Sequence, residues 1–276
     1  MALTVNNNVA ANRAMTQLGK TGRALNGSFS RISSGLRISK AADDAAGLGV
    51  AENLKVAYKS ARVAERNIGD GISMIAVAEG ATSEVGSILG RMRELAVQSA
   101  SETLGDDERA YVQDEYLALA SEIDRISAVT EFNGQALTDG SSASIGVQVG
   151  INNTADDVVD ITLGDLASAT LGVDSGSIDL SSSSAASTAL TGIDAAIEMV
   201  SGYRSDYGAA ENRLGSALNS LEVYAENTAA AESQIRDADF GYESSELAKN
   251  QVLQQAGVAV LAQAKSLTQN VVQLIQ

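Results

Sequence analysis

Hydrophobic positions near the start of the chain follow a heptad. Ala11, Met15, Leu18, Gly22, Leu25, Phe29, Ile32 and Leu36 succeed one another at alternating steps of four and three. Such steps align them as one stripe on a helix, the pattern of a coiled-coil seam. A helix from Leu3 to Ser34 on this pattern is about 45–50 Å long at about 1.5 Å per residue. The other end mirrors it. Leu253, Val260, Leu267 and Leu274 recur every seven residues, with Ala264 and Val271 at the alternate positions. Each stripe is too narrow to make a core alone and needs a partner, so the pattern predicts that the two chain ends pair.

Between the ends, Gly35 to Asp44 interrupts the first stripe, and either Asp43 or Asp44 reads as a helix N-cap. A second long helix follows through Leu54, Tyr58, Ala61, Ile68, Ile72, Ile75, Val85, Leu89, Met92 and Ala96. Glu65 stands where that stripe calls for an apolar residue, which points to a local distortion or a polar contact. After a turn at Gly105-Asp106-Asp107, a third helix carries Val112, Tyr116, Leu119, Ile123 and Ile126. A fourth carries Ile193, Ile197, Val200, Tyr207, Leu214, Leu218 and Leu221.

One stretch alternates instead. Ile145, Val147, Val149 and Ile151 on one side of a polar turn, and Val159, Ile161 and Leu163 on the other, have strand period and predict a β-hairpin. Asp174 to Ser187 is rich in Ser, Gly and Ala and predicts a flexible connector, the least ordered backbone of the chain. The expected fold is therefore mainly α: an elongated antiparallel helical bundle or coiled coil formed by both chain ends, with a small β-hairpin at the far end. Residues 1–43 and 236–276 form a terminal domain. Residues 44–235 form a helical domain with the hairpin near 143–165 and a short variable loop near 166–190.

Composition narrows what such a fold can do. Aromatics make up 4% of the chain and Trp is absent, so the apolar content is mainly the small and aliphatic residues that suit close helix seams. Proline, which breaks helix interiors, is absent altogether. The net charge of −16 offers no positive face for nucleic acid and disfavours anionic membranes; neither partner is expected. No run approaches the roughly 20 apolar residues of a membrane span, and the N-terminus lacks the pattern of a cleaved secretory signal. Without Cys or His there is no disulfide, no thiolate metal site and no imidazole base. No cofactor or metal is expected, and the chain reads as a non-enzyme. A loss of assembly in acid must come from carboxylates, which titrate near pH 4, and no side chain is expected to titrate between about pH 6 and 8.

Several short strings then become specific. Ser34 to Leu48 reads SGLRISKAADDAAGL, Arg91 to Gln98 reads RMRELAVQ, and Glu122 to Ser127 reads EIDRIS, followed by FNGQ at Phe132 to Gln135. Toward the end come ENRL at Glu211 to Leu214, IRDADF at Ile235 to Phe240 and QQAGVAVLAQA at Gln254 to Ala264. In this order and spacing they resemble bacterial flagellin, over roughly residues 3–165 and 191–275. The resemblance implies a secreted, extracellular subunit of the bacterial flagellar filament, used for swimming, that assembles with copies of itself into a helical homopolymer. It implies that the two ends form a coiled coil lining the filament channel. The polymer seam would then be Leu18, Leu25, Phe29, Ile32, Leu253, Val260, Leu267 and Leu274. The further partners implied are a flagellar export chaperone and the export apparatus, and the hook-junction and cap proteins. By residue-wise match, Arg91, Leu95 and Glu115 would be the central contacts of an animal Toll-like receptor. The short stretch between Leu163 and Leu190 implies that the family's outer variable domains are missing.

Two other readings compete. A hook–filament junction protein shares similar ends, but RMRELAVQ, EIDRIS and IRDADF together favour the filament subunit. A zinc protease carried on a filament needs His-Glu-x-x-His, and this chain has no His.

Overall fold

The computed structural model describes residues 8–273, with side chains to residue 266. Leu3, Leu274 and the side chain of Leu267 lie outside the described residues. The chain is mainly helical. In order it forms α1 (Val9–Ser34), α2 (Ala45–Ser99), α3 (Asp106–Val129), β1 (Glu131–Phe132), β2 (Gln135–Ala136), β3 (Ser144–Gln148), β4 (Val158–Thr162), α4 (Ser168–Leu171), α5 (Ser183–Arg236) and α6 (Phe240–Gln273). It divides into two compact units. The terminal unit comprises the residues up to Ala57 and those from Glu226 onward, and the central unit runs from Tyr58 to Ala225; both divisions fall inside α2 and α5.

α2 and α5, at 55 and 54 residues, run unbroken because nothing in either interrupts the backbone ladder. By length and composition a stretch of α2 is apolar enough to cross a membrane. In the central unit that hydropathy has an inside destination. Ile68, Ile75, Val85, Leu89 and Met92 of α2 all lie in the core.

That core has two parts. In the first, Val85 to Ala96 of α2 packs with Val112, Tyr116, Ile123 and Ile126 of α3 and with Ala186 to Val200 of α5. In the second, Ala61 to Ala78 of α2 packs with Tyr207 to Ala225 of α5 and with the inner face of the β3–β4 hairpin. The hairpin is antiparallel, with Ile145 opposite Ile161 and Val147 opposite Val159, so both strands turn one apolar face to the helices. The expected hairpin is therefore present, and within the central unit it lies alongside α2 and α5, because its apolar face needs their flank for burial.

Three further features have clear causes. Asn133 and Gly134 both take positive φ (53° and 77°), and β1 pairs with β2 around them, so FNGQ is a two-residue hairpin turn. The Ser-rich stretch from Asp174 to Ser187, expected to be flexible, instead feeds the core with Ile178, Leu180 and Ala186, as the residues just before it do with Leu166, Leu171 and Val173. Polar residues of both serve the backbone: Asp165, Asp179 and Ser182 accept from the N–H groups of Ala167, Ser181 and Ala185. α5 consequently begins at Ser183, well before Ile193.

Glu65 makes a polar contact, pairing with Arg62 one turn earlier, with no break in α2. Arg109, almost buried, donates to the carbonyls of Ser99 and Ser101 at 3.1 and 2.9 Å, where α2 has carbonyls without helical partners.

Candidate assembly surface

In the terminal unit, α1 and α6 run antiparallel. Asn8 caps α1 by accepting from the Ala11 N–H at 2.9 Å, and its own amide donates to the Ala264 carbonyl at 2.9 Å. Leu18 reaches over Gly257, where an added Cβ would meet the Leu18 methyl at 3.2 Å. The glycine lets the helices approach there. At the other end Arg31 pairs with Glu243, and Leu36 bridges to Asp237 through the backbone.

The side chains turned inward are unusual for a helix pair. On α1 they are Ala11, Ala14, Leu18, Thr21, Leu25, Ser28 and Ile32; on α6 they include Glu243, Asn250, Gln254, Gly257, Leu261 and Ala264. Both sets keep a three–four rhythm, but each is shifted from the stripe that hydrophobicity alone picks out. Leu18, Leu25 and Ile32 are half-buried in the seam. Phe29 is 66% exposed, Leu253 47% and Val260 59%. Met15 stands out beside Phe29's stripe, and Tyr242 beside that of Leu253 and Val260. Each helix therefore carries two adjacent stripes, one facing its partner in which small and polar residues alternate with aliphatic ones, and a large apolar one roughly a quarter-turn away. Neither part of the hydrophobic core contains a residue of the terminal unit.

Charge is uneven too. Arg13, Lys20, Arg23, Arg31, Arg37 and Lys40 fall before the first acidic residue, Asp43, in a chain whose net charge is −16. Composition totals conceal this asymmetry; counting along the chain reveals it.

The SGLRISKAADDAAGL connector is a set of caps. Gly35 ends α1 in the left-handed region at φ 71°. Asp43 accepts from the N–H groups of Ser39 and Lys40 at 3.2 and 3.0 Å, and these backbone bonds hold its carboxyl below the ordinary carboxylate range. Asp44, not Asp43, caps α2, accepting from the Gly47 N–H at 2.9 Å. In IRDADF, Asp239 plays the same part for α6, accepting from Gly241 and Tyr242 at 2.9 and 3.1 Å. Arg37 and Arg236 join these two turns. The Arg37 N–H donates to the Arg236 carbonyl at 2.7 Å, its guanidinium donates to the Ile235 carbonyl, and Arg236 pairs with Glu52 at 3.0 Å.

On the central unit, RMRELAVQ splits between surface and core. Arg91 donates to Glu115 of α3 at 2.7 and 3.0 Å and to Glu94 at 2.9 Å; Arg93 donates to Asp194 of α5 at 2.6 Å. These hydrogen bonds raise both guanidinium pKa values. The two arginines tie α2 to its two neighbours. Arg91 and Glu115 are thus brought together on the surface, but Leu95, 1% exposed, is core and presents no side chain to a receptor in this conformation.

Residues 5–143 match the family described as the bacterial flagellin N-terminal helical region, and residues 190–275 match the bacterial flagellin C-terminal helical region. The flagellin of Halalkalibacterium halodurans is 39% identical over 274 residues, covering 99% of this chain and 100% of that relative. The flagellar filament 33 kDa core protein of Treponema phagedenis is 36% identical over 288 residues, with the same coverage. The crystal structure of Bacillus cereus flagellin matches with a TM-score of 0.50 at 29% identity, over 56% of this chain and 88% of that one.

Proposed function

The chain belongs to the bacterial flagellin family, and we propose that it is the subunit of a swimming filament whose terminal unit completes its folding only against neighbouring copies. Flagellins are structural, filament-forming proteins and not enzymes, and their filament lies outside the cell. The observation that carries the finer reading is the outward apolar stripe on α1 and α6. Burying a side chain such as Phe29 or Leu253 is worth about 1.5–3 kcal/mol, and among the described residues nothing in the terminal unit does so. A second copy of the same unit supplies matching stripes.

The route to the filament follows from the same property. Ends that are unfolded before assembly suit export through a narrow channel by the flagellar export apparatus, with a chaperone covering the α6 segment. A chain without disulfides or slow prolyl bonds fits that passage. The apolar ends are also the surfaces that would meet hook-junction and cap proteins. For an animal Toll-like receptor, the surface on offer is Arg91 with Glu115.

Electron microscopy of purified protein tests the proposal. The full chain should grow long filaments, and a chain cut after Leu253 should grow none. Rods from the truncated chain would contradict the reading. Absence of long filaments from the full chain would favour a junction protein instead.

A further inference from the structure

Most of the α1–α6 seam carries little that fixes its register. Thr21, Ser28, Asn250, Gly257 and Ala264 are small or neutral, and the inward positions repeat every seven residues on both helices. A seven-residue displacement keeps most of these neutral positions against neutral ones, although it moves Leu18 off Gly257 and onto Asn250 or Ala264. The contacts at the two ends of the seam are made with backbone groups. Asn8 donates to a backbone carbonyl, and Leu36 meets Asp237 through backbone alone. Every residue offers those groups.

One contact is different in kind. Arg31 Nε lies 2.6 Å from Glu243 Oε1 and Nη2 lies 3.2 Å from Oε2, a two-pronged pair, and Glu243 is only 4% exposed. We propose that Arg31 and Glu243 specify the register of the two chain ends, acting by excluding displaced pairings more than by adding stability. Displacement by seven in one direction sets Arg31 against Asn250 and carries Glu243 past the end of α1. In the other direction Arg31 meets Arg236 and Glu243 meets Ala24. In the second case a buried carboxylate loses its counter-charge and two arginines meet, which is strongly unfavourable, and in the first the pair is lost, whereas a correctly placed buried pair is close to neutral against an apolar replacement. Single buried polar contacts set register in coiled coils by the same logic. The inference rests on the assembly reading in one respect: register is chosen as the ends come together at the growing filament.

The chain has no Cys, so spin labels at T16C and A248C, both exposed positions offset from each other along the seam, report the α1–α6 register by pulsed electron paramagnetic resonance. Labelled subunits are diluted into filaments of unlabelled protein. The parent chain should give one distance. R31L/E243L should add a second population displaced by about 10 Å, seven residues at 1.5 Å each. The charge swap R31E/E243R should return to one distance. A single parental distance in R31L/E243L overturns the proposal. If R31L/E243L makes no filaments, the swap decides: single-distance filaments support the role, and failure to assemble overturns it. Failure of the parent chain to polymerise would count against the assembly reading alone, and the same distances would then be read on the free chain.

Discussion

The two units handle apolar side chains in opposite ways. In the central unit the large ones are inside: Tyr116, Tyr207, Ile68, Leu89, Met92 and Ile123 are all essentially buried. In the terminal unit the fully buried positions of the α1–α6 seam are Ala, Thr, Ser, Asn and Glu, with Leu18, Leu25 and Ile32 half-buried beside them, while Phe29, Phe240, Tyr242, Leu253 and Val260 face outward. Both are built from long heptad-patterned helices, so periodicity does not distinguish them. The number of helical neighbours does. α2 in the central unit meets α3, α5 and a hairpin, which together cover its apolar arc. Among the described residues the helix packed along α1 is α6, and one such partner covers only part of each arc. The uncovered part is what a polymer of identical copies can use.

The largest expected contrast follows directly. Leu89→Ala and Ile123→Ala remove fully buried side chains and should each destabilise the unassembled protein by about 2–5 kcal/mol in urea unfolding. Phe29→Ala and Leu253→Ala should leave that unfolding within about 0.5 kcal/mol and instead sharply raise the protein concentration needed for polymerisation. A comparable loss of monomer stability from Phe29→Ala would erase the distinction between the units.

A smaller effect sharpens it. The Tyr116 hydroxyl donates to the Val173 carbonyl at 3.0 Å, and burial, aided by the charge of Asp174, raises its pKa above the ordinary value of 10.0. The neutral phenol is favoured by folding, so its contribution is fully present below pH 10 and fades as the pH rises above it. Tyr116→Phe should cost about 1 kcal/mol near neutrality. It should also flatten the alkaline decline of the central unit, followed by urea midpoints between pH 8 and pH 12. An unchanged alkaline slope would remove Tyr116 from the explanation.

The sequence carried the helices plainly, since heptads without a single proline leave few alternatives to long helices. It carried the β3–β4 hairpin through strict alternation. It did not carry which edge of a wide apolar arc faces inside. Met15, Leu18 and Phe29 are equally apolar, yet only Leu18 has a glycine opposite it on α6. That information lies in the partner helix. The Asp174–Ser187 stretch misled because hydroxyl-rich composition usually marks exposed loops, whereas here Ile178 and Leu180 anchor it and α5 takes up its last residues. The Asn133-Gly134 turn went unread, since FNGQ served only as a matching string, although that dipeptide is a strong short hairpin signal. Leu95 illustrates the opposite hazard: a role inferred from a matching string still depends on which side of the helix faces out.

Hydrogen exchange on the unassembled protein and on filaments tests the division most directly. Amides of Val9–Ser34 and of residues 240–266 should exchange nearly unprotected in the free subunit and become protected in the filament, while those of α3 and of residues 61–96 stay protected in both. Equal protection of α1 and α6 before and after assembly would show that the terminal unit folds alone, and would contradict its dependence on neighbouring copies.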